Sequence, residues 1–284
     1  MKLEGKVAVI TGAGRGIGRA VALAFAREGA DLVLASRTLS EGKAVAAEIE
    51  MLGRKALALR ADVSDRLAAK AMADRALAEF GRVDILVNNA AVQTPIGPLW
   101  KNDPDQWLET IAVNLCGVFL CCHAVVPAMV RQARGKIINL SGGGATSPRP
   151  NFSAYAASKA AVVRLTETLA QELAPFNIQV NAIAPGAVYT NMTEDVLAAG
   201  SAAGERALAE ARRVNEERPR PEAAAELAVF LASGQSGGLT GRLISAVWDD
   251  WRALPFRLDE IMSSDLYTLR RITMPMTASV GGNI

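Results

Sequence analysis

The chain has 284 residues, half of them apolar, with 31 basic and 29 acidic side chains for a net charge of +2. That length and apolar share fit one large core rather than a disordered or fibrous chain, and the scattered Lys and Arg argue against a nucleic-acid surface. Met1-Lys2-Leu3-Glu4-Gly5 runs straight into the first apolar segment, so no signal peptide is expected and the chain is read as cytoplasmic.

Val7-Ala8-Val9-Ile10 is a short continuous apolar run, the pattern of a strand buried on both faces. Thr11-Gly12-Ala13-Gly14-Arg15-Gly16-Ile17-Gly18 follows at once, and Arg19 to Gly29 then reads as a helix with Ala20, Leu23, Ala24 and Ala26 on its inner side. Strand, glycine turn and helix together make a phosphate cradle. The glycines admit a pyrophosphate to the backbone, and the helix start supplies free N–H groups and positive dipole. Gly12, Arg15, Gly16, Ile17 and Gly18 are therefore candidate cofactor-binding residues.

Asp31 to Ser36 reads as a second strand and Ser40 to Leu52 as a helix. Lys55 to Ala61, Ile85 to Val87, Lys136 to Leu140 and Gln179 to Ile183 supply further strands, with a helix from Leu67 to Phe80. Strands separated by helices predict an α/β fold, a Rossmann-type doubly wound parallel sheet with helices on both faces and the ligand at the carboxyl ends of the strands. The second strand ends on Ser36 and is followed by Arg37, where an acidic residue would bind the 2′-hydroxyl of an adenosine ribose. A cation without a carboxylate favours a 2′-phosphate, hence NADP over NAD, and Arg15 offers a second cation nearby.

The longest apolar stretch, Leu115 to Val130, is interrupted by His123 and Pro127 and falls short of the ~18 residues of a spanning helix, so it is read as buried with no membrane contact. Cys116, Cys121 and Cys122 share it with His123, the only histidine. Adjacent helical positions diverge around the axis, which disfavours a metal site and leaves the cysteines as small core residues. Neither a metal nor a disulfide is expected.

Tyr155 and Lys159 stand four apart, hence on one helical face. A phenol with a pKa near ~10 is a poor base at neutral pH; a neighbouring ammonium lowers that value and makes Tyr155 a usable proton donor and acceptor.

Thr11–Gly18, Asp62-Val63, Asn88-Asn89-Ala90, Asn114, Tyr155/Lys159 and Pro185-Gly186, in this order, resemble the short-chain dehydrogenase/reductase family from about Leu3 to Gly241. The resemblance implies that Tyr155 protonates a substrate carbonyl while a nicotinamide supplies hydride. It gives Lys159 the nicotinamide ribose and Asn114 a relaying water. Asp62 and Val63 would contact adenine, Asn89 and Ala90 the adenosine ribose region, and Val188 and Thr190 the carboxamide. It also implies a homodimer or homotetramer, with a long apolar helix from Asp105 to Arg131 as one interface, and a lid from Met192 to Arg213.

Two departures qualify it. The family's carbonyl-polarising serine falls on Gly142, inside Ser141-Gly142-Gly143-Gly144. Ser141, one residue early, takes the catalytic role if the glycines re-aim the backbone; Thr146, Ser147 or the Gly142 N–H are the other donors. The expected function is NADP(H)-dependent interconversion of a carbonyl and a secondary alcohol, acting on a small polar molecule. The alternatives are an NADP-binding regulatory protein with weak catalysis, or epimerisation through a transient ketone. Secondly, the chain continues past the usual family ending, so residues 1–245 are read as the catalytic domain. Residues 246–284 are read as an extension packed over the active-site side or on a neighbouring subunit, with helical character from Leu258 to Arg271. In the substrate region, Gln93, Thr94, Trp100, Arg149, Asn151 and Phe152 are candidates, Arg149 for a carboxylate or phosphate.

Overall fold

The computed structural model describes residues 1–272. Seven parallel strands form the sheet: β1 (Val7–Thr11), β2 (Asp31–Ser36), β3 (Ala56–Arg60), β4 (Ile85–Asn88), β5 (Gly135–Leu140), β6 (Ile178–Ala184) and β7 (Leu243–Ser245). Their order is β3-β2-β1-β4-β5-β6-β7. Alternation of side chains along each strand feeds two cores. Ala8, Ile10, Leu32, Leu34, Ile85, Val87, Ile138 and Leu140 face one way, while Val9, Val33, Leu86 and Ile137 face the other.

Helices α1 (Gly16–Arg27), α2 (Leu39–Met51) and α9 (Glu222–Ala232) cover the first face. Helices α3 (Arg66–Phe80), α4 (Pro104–Ile111), α5 (Gly117–Gln132) and α6 (Ser153–Leu173) lie along the chain between β3 and β6, and α3, α5 and α6 supply the second core. A π turn, Ala112–Cys116, joins α4 to α5 without a break. The continuous helix Pro104–Gln132 is long and apolar enough to cross a membrane, longer than the stretch read from the sequence, but much of it is buried inside the protein. Val118, Cys121, Cys122, Val125 and Met129 pack into the second core.

Helices α7 (Asn191–Ala199) and α8 (Glu205–Glu217) occupy the segment read as a lid. They close a third, small core in which Val196, Ala203 and Ala211 meet Phe152 and Tyr155. Beyond β7 the chain forms a 3-10 turn, Trp251–Arg257, and a short α10 (Leu258–Met262), so the helical pattern read from 258 to 271 covers only its first part. Trp251, Leu254 and Ile261 are buried in the first core, the Trp251 ring 5.3 Å from Phe230 of α9. The Leu243 N–H of the edge strand donates to the Tyr267 carbonyl at 2.8 Å, and the Arg242 guanidinium donates to the Ile261 carbonyl at 2.7 Å. Residues 273–284 of the expected extension lie outside the described residues.

Candidate active site

The order of the sheet reverses between β1 and β4, and the carboxyl ends of β1, β2, β4, β5 and β6 open onto that crevice. The glycine turn is shaped by contact distances. A Cβ on Gly18 would sit 2.2 Å from the Gly12 carbonyl oxygen, and one on Gly12, at φ +63°, 2.8 Å from Asn89 Nδ2. Asn89 Nδ2 donates to the Thr11 and Gly12 carbonyls at 3.0 and 3.1 Å, and the Asn89 and Ala90 N–H groups donate to the Thr11 hydroxyl. The Asn89 side chain thus braces the turn. Helix α1 has no acidic residue in its first turn and no side-chain cap from Arg15, which leaves its N–H groups open to a phosphate. The turn fits a dinucleotide pyrophosphate.

Thr190 sits over this turn, its methyl carbon 3.3 Å from where a Gly16 Cβ would be. It caps α7 reciprocally with Thr193, whose hydroxyl also donates to the Val188 carbonyl. Ser36 is buried and donates to the Thr38 carbonyl at 2.8 Å, while Arg37 is exposed. Arg15 lies 3.5 Å from Glu41. The Asp62 carboxylate accepts from the Ser64 hydroxyl and N–H, and those bonds hold its pKa below the usual value. The Val63 side chain is spent on the core against Gly117.

Tyr155 and Lys159 share one face of α6, with the ammonium 5.6 Å from the phenol ring centre. Both are buried, and Lys159 Nζ donates to the Leu140 carbonyl at the end of β5, 2.8 Å away. Burial pulls the lysine down to about 8. Burial also pushes the Tyr155 phenol above its ordinary value, opposed by the Arg149 guanidinium; the sequence had led us to expect a phenol lowered by Lys159. Asn114 lies in the π turn, fully buried. Its Nδ2 donates to the Val92 carbonyl and the Ser158 hydroxyl, and its Oδ1 accepts from Val92 N–H. Ser158 in turn donates to the Tyr155 carbonyl at 2.7 Å, a link that sequence reasoning missed although Ser158 stands beside Lys159. The π turn, Ala112–Cys116, is thus the element that places Asn114.

The structure does not bring Ser141 to the phenol. Its hydroxyl is buried with no hydrogen-bond partner among the described residues. The position facing Tyr155 is Gly142, where a Cβ would lie 2.4 Å from the phenol oxygen. Strand alternation sends the neighbouring Ser141 to the opposite side. Thr146 and Ser147 are exposed. On the substrate side the Arg149 guanidinium stacks on Phe152 at 3.9 Å and lies 5.2 Å from the Tyr155 ring centre. The buried Gln93 donates to the Met192 carbonyl and so ties the β4 loop to α7.

A family profile described as short chain dehydrogenase matches residues 6–200. The chain belongs to the short-chain dehydrogenase/reductase family. Among its relatives, a 3-oxoacyl-(acyl-carrier-protein) reductase of Thermotoga maritima is 40% identical over 86% of this chain and 97% of its own length. A 3beta-hydroxysteroid dehydrogenase of Eggerthella lenta is 40% identical over 84% of this chain and 91% of its own. Among solved structures, NAD+-bound xylitol dehydrogenase superposes with a TM-score of 0.80 at 30% identity, over 86% of this chain and 98% of that one. Levodione reductase gives 0.79 at 29%, over 89% and 99%. This short-chain dehydrogenase is accordingly an oxidoreductase acting on CH–OH or C=O groups, with a nicotinamide cofactor in the Rossmann-type crevice.

Cys121 and Cys122, buried beside this crevice on α5, are pushed up to about 12 by burial and stay protonated at neutral pH. Both side chains pack into the second core. Among the described residues no three His, Cys, Asp or Glu side chains converge as a metal cluster.

Proposed function

We propose that this chain is an NADP(H)-dependent reductase that interconverts a carbonyl and a secondary alcohol, with Tyr155 as the general acid and base. The observation that carries the reading is Lys159. It is a buried cation, held by the Leu140 carbonyl, one helical turn from a buried phenol and without a carboxylate within ion-pair distance among the described residues. Such a charge is stabilised by what it serves, a phenolate and a ribose.

Bound NADPH supplies the hydride. In reduction, Tyr155 gives its phenol proton to the substrate oxygen as the carbonyl carbon gains hydride, and the resulting phenolate is held by Lys159. The proton returns to Tyr155 through Lys159 and a water positioned at Asn114 in the π turn. The Asn114 side chain, already committed to Val92 and Ser158, fixes that turn. With the Ser141 hydroxyl buried, the donor that polarises the substrate oxygen is a backbone N–H of Gly142 or Gly143, neither of which has a partner among the described residues.

Arg37 and Arg15 favour the 2′-phosphate of NADP over NAD; the xylitol dehydrogenase neighbour holds NAD+, so the preference of this chain rests on its own residues. A 2′-phosphate would draw Arg15 away from Glu41. Glycine turn and adenosine contacts fall to Gly12, Gly16, Ile17, Gly18, Asp62, Val63 and the Asn89-Ala90 backbone, and the carboxamide to Val188 and Thr190. Residues 1–245 form the catalytic domain in this reading and 246–284 an extension, of which the described part, 246–272, packs on that domain. The chain is cytoplasmic and a homo-oligomer, with the exposed Leu108 and Phe119 on the α4–α5 surface as its apolar contacts. One observation favours a second reading, an NADP-binding protein of weak catalysis: no side-chain hydroxyl faces the phenol at Gly142.

The test is NADPH consumption over ketones, oxo acids and acyl-linked oxo compounds, with NADH run beside it. Tyr155→Phe is expected to lower kcat by about 10²- to 10⁴-fold while still binding NADPH. Tight NADPH binding without turnover in the unmutated protein would move the assignment to the second reading.

A further inference from the structure

Arg149 has no role in the chemistry just described, yet its guanidinium lies over the two aromatic rings that floor the substrate side, Phe152 and Tyr155. A guanidinium carries five N–H donors. Among the described residues none of the five finds an acceptor, and no carboxylate comes within 4.0 Å; the facing acid, Glu210 of α8, is exposed and outside ion-pair range. The two rings it stacks on belong to a small apolar cluster that also holds Val196, Ala203 and Ala211.

A Cβ on Gly144 would crowd the Arg149 Cβ at 3.2 Å, and one on Gly143 would point at its Cδ and guanidinium, 3.9 and 4.0 Å away. Only the Gly144 contact is tight, and Ala156 of α6, 2.7 Å from that Cβ, is nearer still; the Gly143 distances are ordinary van der Waals contact. Cation–π stacking stabilises the plane of the guanidinium but leaves its edge, where the donors are, free. Burial disfavours the charge, which pulls the Arg149 pKa down from its ordinary value and leaves a cation short of a counter-charge.

We propose that Arg149 is a specificity-determining residue that seats an anionic group of the substrate, so that the compound reduced at Tyr155 is a short oxo acid whose carboxylate lies only a few bonds from the carbonyl. The proximity follows from the 5.2 Å between the guanidinium carbon and the Tyr155 ring centre. A carboxylate there would accept a bidentate pair of hydrogen bonds, and the same bonds would orient the carbonyl toward the Tyr155 hydroxyl. The inference rests on the reductase reading of Tyr155 and narrows it.

Two measurements decide it separately from that reading. The first compares kcat/KM for matched pairs, each 2-oxo or 3-oxo acid with its methyl ester, in the unmutated protein, Arg149→Met and Arg149→Lys. The unmutated protein is expected to favour the acid, Arg149→Met to lose about 10- to 100-fold of the acid-to-ester ratio through KM, and Arg149→Lys to recover part of it. Equal use of acid and ester, or a preference that survives in both variants, would overturn the proposal. The second uses non-reacting probes at constant ionic strength: calorimetric titration of the NADPH complex with succinate or inorganic phosphate. Binding of succinate that Arg149→Met abolishes and Arg149→Lys retains supports the seat even if no carbonyl compound is turned over, a result that would count against the reductase reading alone. Binding of phosphate without succinate, or of neither, overturns the carboxylate assignment.

Discussion

At the scale of single residues, the glycine at 142 decides how the site differs from its family pattern. Its Cβ direction runs into the Tyr155 hydroxyl, so the phenol oxygen occupies space that a side chain at 142 would need. Restoring a serine would therefore not simply restore a hydroxyl. We expect Gly142→Ser and Gly142→Ala to displace the phenol alike and lower kcat by about a hundredfold, the scale of a 1 Å misplacement of a catalytic group. Measured turnover that rises in Gly142→Ser and falls only in Gly142→Ala would show instead that the site lacks a hydroxyl and has room for it. Residue identities along the chain marked Tyr155, Lys159 and the glycine turn, because their chemistry depends on spacing within one element. Gly142 was visible as a departure from the family pattern and Arg149 as a candidate seat for a carboxylate or phosphate. What each faces depends on where α6 passes the end of β5, which no local pattern encodes.

Elements built from apolar runs were legible for the same physical reason. β1 and β4 are buried throughout and open on unbroken apolar runs, whereas β6 was read across Gln179 and Asn181 from its Ile, Val and Ala positions. Helix α1 starts at Gly16, earlier than the Arg19 of the sequence reading, because the helix begins inside the phosphate turn rather than after it. The π turn at Asn114 left no signature, since it differs from α-helix by one residue of register. β7 was missed: three residues cannot show a period. Its outer edge is closed from beyond the usual family ending, by the Tyr267 carbonyl on Leu243 N–H, while Leu269 N–H and Arg270 dock on the buried Glu167 of α6. An edge strand with open N–H groups invites pairing with another chain. Truncation after Arg252 removes that cover together with Leu254 and Ile261, both buried, each worth about 2–5 kcal/mol when deleted from a core. The truncated protein is expected to melt at lower temperature and to self-associate in light scattering; an unchanged melting point and mass would mean the strap carries no stability.

For the molecule as a whole, buried titratable groups fix how stability responds to alkali. Lys136 and Lys159 are drawn by burial from 10.5 to about 8. Between about pH 8 and 10.5 the unfolded chain holds protons on them that the folded chain has released, so both groups make stability rise with pH in that window. Cys121 and Cys122 act in the opposite sense. Their folded pKa is raised from 9.0 to about 12, so above pH 9 the unfolded chain loses protons that the folded chain retains, and stability falls. Tyr155 and Tyr267, also raised by burial, add to that fall above about pH 10. The lysines act alone from pH 8 to 9, the pairs oppose each other from 9 to 10.5, and only the falling terms remain above that. Urea unfolding across this range should therefore show stability climbing to a maximum near pH 9 to 10 and dropping beyond 10.5. Lys136→Met, remote from Tyr155 at the amino end of β5, should remove part of the climb and leave the alkaline drop in place. A monotonic decline from pH 7.5 upward, unchanged by Lys136→Met, would mean that these ammonium groups keep their ordinary pKa in the folded chain, and with it that Lys159 stays charged well above pH 8 during turnover.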